Sequence, residues 1–316
     1  IVRDRQGQVR AFHNSCLHRG SRVCASERGA SARLVFPYHQ WTYDLDGRLL
    51  FARQMGPDFD PAKFSLKPVA CETVGGYVFI CLAEEPADFS TFRATVERFF
   101  LPHRLSEAKV AFESTIVEKG NWKLVWENNR ECYHCAGNHP ELGQSFNKYA
   151  VGFVPDADDL AGQAEAAAYE AQVAAQVADW EARGFPSVAV EHLSGRATGF
   201  RTERIMLDGS GESQTLDTKA ACRKLLGGLG DAKLGGLHLW TQPNSWHHFM
   251  GDHAVTFCAI PLDPEHTLVR TRWLVHKDAV EGVDYDLDRL TEVWNATNAQ
   301  DAALVELAQQ GVRSPA

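Results

Sequence analysis

The pattern of hydrophobic and polar residues changes along the chain and predicts two structural regions. Between Ile1 and Glu85 the apolar runs are short and are separated by turn residues. Two of these runs, Val69 to Val74 and Tyr77 to Leu82, flank Gly75-Gly76, an arrangement typical of a β-hairpin. We therefore predict a small all-β domain over residues 1–85.

The remaining residues, 86–316, combine helical and strand patterns. The helical patterns cover Thr91 to Phe100, Trp122 to Cys135, Asp158 to Arg183 and Asp286 to Gln310. The β-rich runs, separated by turn residues, cover Leu237 to Thr241, Ser245 to Met250, Ala254 to Ile260 and Thr267 to His276. These patterns predict an antiparallel sheet packed with helices, so the fold class is α+β.

Composition and charge restrict the class of protein. The 316 residues are 44% hydrophobic and 23% charged, which is sufficient for two globular cores. The net charge is −9 and the basic residues form no run, so we expect no nucleic-acid partner. No apolar run approaches a membrane span and no signal segment opens the chain, so we expect no membrane association.

The termini and the cysteines add two expectations. The chain begins at Ile1 without Met and ends at Ala316 without an evident cap, so we expect a fragment that lacks its N-terminal part. The eight cysteines lie in an enzyme-sized chain, several of them beside histidine, which favours reduced thiols and metal chemistry over a disulfide framework. We therefore expect a cytoplasmic protein.

Two short segments of the first domain contain residues typical of metal ligands. One holds Cys16 and His18, and the other holds Phe36 and His39. A Rieske [2Fe–2S] cluster takes two thiolates on one iron and two imidazoles on the other. Cys16, His18 and His39 offer three such ligands, but Phe36 stands where the second thiolate is needed and has no lone pair for a metal.

At these positions the chain resembles the Rieske non-haem iron oxygenases, whose pattern is Cys-x-His followed by Cys-x-x-His. Three interpretations of Phe36 stay open. The cluster is lost or unstable and Phe36 fills its place as a hydrophobic residue, or Cys24 moves in as a substitute ligand, or the substitution is a sequence accident or an engineered change. The resemblance implies a [2Fe–2S] cluster, and the replacement of one of its four ligands by Phe36 would impair it.

A second group of candidate ligands lies between Asn121 and Leu142. His134 and His139 are five residues apart and would diverge by about 140° on a regular helix. Gly137 loosens the helix and Pro140 disfavours helical backbone at the residue before it, so His139 can turn back toward His134. Two imidazoles and one carboxylate form the facial triad of oxygen-activating Fe(II).

The resemblance extends over nearly the whole chain and implies His134 and His139 as ligands of the mononuclear iron. It implies Asp301 as the third ligand, a residue that spacing alone does not identify. Glu131 matches the family's bridging carboxylate, which connects this iron to a cluster histidine, His39, of the next subunit in a homotrimer.

Plainer roles stand beside these. Cys132 and Cys135 form a Cys-x-x-Cys pair that suits zinc or redox chemistry, but with no second pair we favour small packing residues. Glu127 and Glu131 could act as an acid–base pair, although supporting a neighbouring ligand is the more ordinary role for them.

The segment around Glu131 resembles the branch of the family that oxidises quaternary ammonium compounds such as glycine betaine. A trimethylammonium group donates no hydrogen bond, so we expect aromatic walls, for which Trp240, Trp246 and Phe249 are candidates, although each is equally plausible as a core residue. The resemblance implies N-demethylation with O₂ and with electrons from a separate reductase that uses NAD(P)H. Two alternatives remain: a fold-retaining binding protein or silent subunit, and an aromatic-ring dioxygenase α-subunit.

Overall fold

The chain forms two compact units in a computed structural model that describes residues 1–193 and 198–314. The units are Ile1–Asp88 and Phe89–Ala316. Their division lies close to residue 85, where the sequence pattern predicts the end of the all-β domain.

The first unit contains only short strands and one 3₁₀ turn in its regular structure. In chain order the strands are β1 (Val2–Arg3), β2 (Val9–Phe12), β3 (Leu34–Val35), β4 (Thr42–Tyr43), β5 (Leu49–Phe51), β6 (Pro68–Val74) and β7 (Tyr77–Cys81), and the turn is Pro61–Phe64. Strands β1, β2, β6 and β7 form one sheet, and β3, β4 and β5 form another. The hairpin predicted around Gly75-Gly76 is present as β6 and β7.

The second unit is a seven-stranded antiparallel sheet packed with helices. In chain order its elements are α1 (Ser90–Phe100), β8 (Ala108–Glu118), α2 (Trp122–Arg130), α3 (Cys135–Asn138), α4 (Leu160–Ala182), β9 (Val190–Glu191), β10 (Phe200–Ile205), β11 (Gly236–Thr241), β12 (Ser245–Phe249), β13 (His253–Asp263), β14 (His266–His276) and α5 (Leu287–Gly311). Short 3₁₀ turns occur at Leu101–His103, Leu105–Glu107, Leu142–Ser145 and Leu226–Gly228.

The sheet order is β8-β14-β13-β12-β11-β10-β9, with antiparallel neighbours throughout. Strand β14 alternates strictly between half-buried and buried residues, because successive side chains of a strand point to opposite faces. Helix α5 begins at Asp286, whose carboxylate accepts a hydrogen bond from the backbone N–H of Arg289, and it packs on β8 and α2. The α+β fold and the predicted meander are therefore confirmed.

The structure corrects two expectations about local elements. Helix α2 ends at Arg130 instead of continuing to Cys135, because Glu131 adopts extended backbone after two asparagines of low helix propensity. Strands β8, β9 and β10 were not predicted. Strand β8 lies at the sheet edge, where many of its residues are exposed, so its sequence lacks a clear apolar run.

No helix in the described part of the chain is both long and apolar enough to span a membrane.

Candidate metal centres and the adjoining cavity

Three side chains of the second unit converge on one point. The Nε2 atom of His139 lies 3.0 Å from Oδ1 of Asp301, and the Nε2 atom of His134 lies 3.4 Å from the same oxygen. Asn128 donates a further hydrogen bond of 2.7 Å to that oxygen. The structure thus brings together the two histidines and the distant carboxylate that the resemblance implied.

Local backbone structure explains how the two histidines meet. His134 precedes the one-turn helix α3, and His139 follows it with non-helical backbone. The 140° divergence of a regular helix therefore does not apply. Neither ligand belongs to the long helix α2, whose end at Arg130 releases the segment that carries them.

The other ring nitrogen of each histidine is held by a polar side chain. Nδ1 of His134 lies 2.8 Å from Oε1 of Glu131, and Nδ1 of His139 lies 2.8 Å from Oε1 of Gln300. Gln300 donates in turn to Glu141 at 2.7 Å. Because both outer contacts are to oxygen acceptors, each Nδ1 carries a proton. Each Nε2 then offers its lone pair to a metal once it gives up the proton that it donates to Asp301 in the metal-free site.

The charges of the group stabilise one another. The hydrogen bond to Asp301 raises the pKa of His134. Burial works to raise the pKa of Asp301, but its hydrogen bonds with His134 and His139 outweigh burial and hold that pKa below its usual value. Burial also works to lower the pKa of His139, yet its interaction with Asp301 raises it overall. A buried anion facing two imidazoles is the electrostatic arrangement that a divalent cation would complete.

These residues fit a mononuclear Fe(II) ion. Two neutral imidazoles and one carboxylate with space beside them form the donor set that leaves coordination positions open for oxygen chemistry. Glu118, at the end of β8, is buried near this group, and burial followed by the charge of Asp301 raises its pKa to about 8. Glu118 is therefore protonated at neutral pH and adds no second negative charge.

Cys132 and Cys135 form a disulfide beside the ligand histidines. This corrects two expectations, that the cysteines are all reduced and that this pair serves as small packing residues. The sulfur of Cys135 lies within 4.8 Å of a ring nitrogen of both His134 and His139. Because that sulfur is bonded to Cys132, it is not available as a thiolate ligand.

The candidate cluster ligands of the first unit also lie together. The rings of His18 and His39 are 4.4 Å apart at an angle of 74°. The Nδ1 atom of each is buried without a hydrogen-bond partner among the residues that the structure describes. Burial, and next the charges of His18 and Arg19, lower the pKa of His39 and favour its neutral form. The paired, unsatisfied imidazoles fit the histidine side of a Rieske cluster.

The thiolate side of that cluster does not fit. Phe36 is completely buried and belongs to the same apolar core as Cys16 and Trp41. Its backbone N–H donates to Trp41 at 2.8 Å and its carbonyl accepts from Gln40 at 2.8 Å, so the loop keeps a turn around it. The sulfur of Cys16 lies 3.1 Å from the Tyr43 hydroxyl, and Cys24 is exposed. One thiolate is missing, and we derive no electron path through this unit.

A cavity of about 270 Å³ adjoins the mononuclear site. His134, His139 and Asp301 line it together with Trp240, whose indole N–H donates to the carbonyl of Asn129 at 3.0 Å. Its wall also carries further aromatic and charged side chains, which include Phe146, Arg201, Glu203, His238, His248 and Trp294.

The structure does not bring Trp246 and Phe249 to this cavity. Phe249 points to the opposite face of β12, because it follows His248 by one residue, and it packs against Phe100 at 5.5 Å. Trp246 shares the cavity face of the sheet but stacks on Phe257 at 5.2 Å.

Sequence reasoning missed several residues of the site. Gln300 and Asn128 hold ligands, and His248 lines the cavity. Gln300 directly precedes Asp301 on α5. Once Asp301 is known, this adjacency is the one sequence feature that indicates Gln300. Asn128 lies within the dense polar segment before His134, but no spacing rule distinguishes it from Asn129.

Comparisons with known proteins agree with this geometry. The family description "Ring hydroxylating alpha subunit (catalytic domain)" matches residues 105–316, and "Rieske [2Fe-2S] domain" matches residues 1–70. The chain is 49% identical over 317 residues to the glycine betaine monooxygenase oxygenase subunits of Pseudomonas aeruginosa (strain UCBPP-PA14) and of Chromohalobacter salexigens. These matches cover the whole chain and 71% and 68% of the two relatives.

A solved structure of a quaternary ammonium Rieske monooxygenase shares the fold. It matches with a TM-score of 0.67 and 22% identity, over 99% of this chain and 71% of that one. The match covers both units of the chain. The chain therefore belongs to the Rieske-type ring-hydroxylating oxygenase α-subunits, oxidoreductases whose two domains bind a [2Fe–2S] cluster and a mononuclear iron.

Proposed function

We propose that the chain is the oxygenase component of a monooxygenase that removes a methyl group from a quaternary ammonium compound of the glycine betaine type. The observation that carries this proposal is the 49% identity, over the whole chain, to oxygenase subunits of glycine betaine monooxygenase. The aromatic cavity beside the ligand group supports it independently.

The cavity has the chemistry that a trimethylammonium group requires. This cation has no N–H to donate, so it binds through contact with aromatic faces and through the attraction of their negative quadrupole. Trp240 and Trp294 offer such faces on the wall that also carries Asp301. Trp240 already attracts a cation, since the guanidinium carbon of Arg201 lies 5.0 Å from its ring centre.

The reaction divides between the metal and the chain. A bound Fe(II) supplies the activation of O₂. One oxygen atom enters a C–H bond of an N-methyl group, and the other leaves as water with two electrons and two protons from the reductase. The cationic carbinolamine that results loses its hydroxyl proton as the C–N bond breaks, and it yields formaldehyde, a tertiary amine and one proton. The chain holds the metal with His134, His139 and Asp301, orients the histidines with Glu131 and Gln300, and keeps the methyl group against the aromatic wall of the cavity.

The partners of this reaction belong to the same proposal. The resemblance implies a reductase that uses NAD(P)H and a homotrimer in which Glu131 bridges to a neighbouring subunit. One carboxylate oxygen of Glu131 contacts His134 and the other accepts from the backbone N–H of Tyr133, yet the side chain is 53% exposed and so accessible from outside. A cytoplasmic location is also part of the proposal.

Phe36 favours a second candidate function. A chain with an intact mononuclear site but an incomplete cluster site would bind substrate and metal without receiving electrons, and would act as a silent subunit. The two candidate functions differ only in whether the chain receives electrons. An experiment that bypasses the cluster therefore tests the substrate assignment separately from the electron supply.

Formaldehyde release tests the proposal. We expect the Phe36→Cys variant, with its cluster assembled and a suitable reductase, to release formaldehyde from glycine betaine, and the unaltered chain to release little. Hydrogen peroxide carries both the oxygen atom and the two reducing equivalents, so it should support demethylation by the iron-loaded unaltered chain. Asp301→Ala is the control that removes an iron ligand. Oxidation of an aromatic acid, with no turnover of any quaternary amine, would refute the substrate assignment.

A further inference from the structure

His248 is a buried polar residue of the cavity whose hydrogen-bonding groups are unused. It is 4% exposed, and neither ring nitrogen has a hydrogen-bond partner within residues 1–193 and 198–314. Of the buried side chains in those ranges that have an unpartnered polar atom, His248 is the only one that lines the cavity beside the ligand group. Leaving a buried donor unsatisfied is costly, so such a group indicates a missing partner.

The neighbouring histidines show that this is a specific feature of His248. His247, the preceding residue, faces the other side of the sheet and contacts the hydroxyls of Thr241 and Thr256 through its two ring nitrogens. His238, which pairs with His248 across β11 and β12, accepts a hydrogen bond at Nε2 from the side-chain amide of Gln214 at 3.2 Å.

A chain of hydrogen bonds fixes the amide orientation of Gln214. The indole N–H of Trp294 is a donor only, and it donates to Oε1 of Gln214 at 3.1 Å. The Nε2 group of Gln214 must therefore face His238. This network uses the polar groups of Trp294, Gln214 and one nitrogen of His238, but it does not reach His248, although the rings of His238 and His248 are only 4.1 Å apart.

His248, on β12, packs against the helix that carries the ligand Asp301. The ring of His248 packs 4.4 Å from Trp294, and Trp294, Thr297 and Asp301 line the cavity from one face of the helix. Trp294 and Asp301 are seven residues apart, or about 10 Å along the axis. His248 and the ligand group line the same cavity, so a small zwitterion can place its methyl end at the ligand group and its other end at His248.

We propose that His248 donates a hydrogen bond to the carboxylate of the substrate and so selects betaines that carry a carboxylate over quaternary amines that lack one. This inference rests on the proposed function. The trimethylammonium end offers no hydrogen bond, so the carboxylate is the part of a betaine that can satisfy the N–H of a neutral imidazole. Burial keeps the pKa of His248 well below its usual value, so the ring is neutral and has one donor.

Arg201 and Arg130 are the competing anchors for a carboxylate, and Arg130 already faces Trp126 at 5.6 Å and Glu191 at 3.5 Å. Arg201 is the one that contacts Trp240. It also lines the cavity, but it already bonds Glu203 at 2.8 Å and stacks on Trp240. We therefore expect Arg201 to contribute less selectivity than His248, and the corresponding Arg201→Gln variant tests this directly.

The test measures binding of two ligands to the iron-loaded protein without O₂, through the fluorescence of the tryptophans in the cavity wall. Glycine betaine carries the carboxylate, and tetramethylammonium carries only the cationic group. We expect the unaltered protein to bind glycine betaine at least 10-fold more tightly. His248→Phe keeps a ring against Trp294 but removes both nitrogens, so it should weaken glycine betaine binding about 10- to 100-fold and tetramethylammonium binding little.

Two further variants complete the design. His248→Asn restores a donor and should recover part of the selectivity, and His247→Phe, on the opposite face, should leave it unchanged. Equal affinities of the unaltered protein for the two ligands, equal losses in His248→Phe, or a selectivity loss confined to Arg201→Gln would each overturn the inference. The comparison of the two ligands on the unaltered protein does not depend on the folding of any variant. Binding of neither ligand would instead show that the proposed function itself is wrong.

Discussion

Replacing Phe36 by cysteine tests most directly whether Phe36 prevents assembly of a [2Fe–2S] cluster in the first unit. Phe36 is 0% exposed and lies in the core formed with Cys16, Trp41, Tyr43 and Leu49. Truncating a buried Phe typically costs about 3–5 kcal/mol, because contacts are lost and a cavity remains. Without a cluster, Phe36→Cys should therefore lower the free energy of unfolding of this unit by roughly 3 kcal/mol.

Cluster assembly should reverse that loss, since a thiolate bound to iron ties the loop to the metal and metal binding stabilises the folded state. The assay counts iron and acid-labile sulfide per chain after anaerobic reconstitution, together with visible absorption and the EPR signal of the reduced protein. We expect about one iron and no sulfide in the unaltered chain, and about three irons and two sulfides in Phe36→Cys.

Phe36→Ala is the matched control. It should lose similar stability to cluster-free Phe36→Cys, and on reconstitution it should hold about one iron and no sulfide, like the unaltered chain. A complete cluster in the unaltered chain would refute the reasoning and would direct attention to Cys24, whose replacement by alanine should then abolish the cluster.

Two further predictions concern the second unit. Glu118→Gln should change how the free energy of unfolding depends on pH. In the unaltered chain the pKa of Glu118 is about 8 in the folded state and 4.5 in the unfolded state, so between these pH values only the folded state holds the proton. The free energy of unfolding therefore falls as pH rises from 4.5 to 8. The metal-free unaltered chain should lose roughly 1.4 kcal/mol per pH unit more than the variant across this range in urea unfolding, and parallel profiles would contradict this. Gln300→Leu removes the acceptor that orients His139, so iron affinity should fall about 10- to 100-fold in competition with a chelator. Gln310→Leu, at an exposed position of the same helix, is the control. Unchanged affinity would show that Gln300 does not hold the ligand.

The family and the α+β fold were predictable because both rest on local signals. The ligand segments are short motifs, and the meander has clear apolar runs. The helix expected through Cys135 was wrong because the sequence Glu131 to His139 suits either a continued helix or a turn, and contacts with α5 decide between them. Asp301 was reached only through resemblance, since no local feature separates it from other acidic residues on that helix.

The cavity wall was harder to predict for a different reason. Trp240 and Trp246 are direct partners across two strands, so periodicity cannot tell them apart, and only the position of Phe257 shows which one is covered. Periodicity does separate Phe249 from Trp246, but it does not say which face of the sheet carries the cavity. His248 lacked any signal in the sequence, because its distinguishing property is that its ring nitrogens have no hydrogen-bond partner among the residues that the folded structure describes.

The contact between His139 and Gln300 also constrains when the chain can bind iron during its synthesis. These residues are 161 positions apart, and the strands β9 to β14 lie between them. During synthesis the two histidines emerge long before α5, and for that time they have neither the third ligand nor the side chain that orients His139. The complete iron site therefore forms only after α5 has left the ribosome and packed against the sheet. Until then the nascent chain exposes two histidines beside two cysteines, a set of ligands that suits thiophilic metals better than Fe(II).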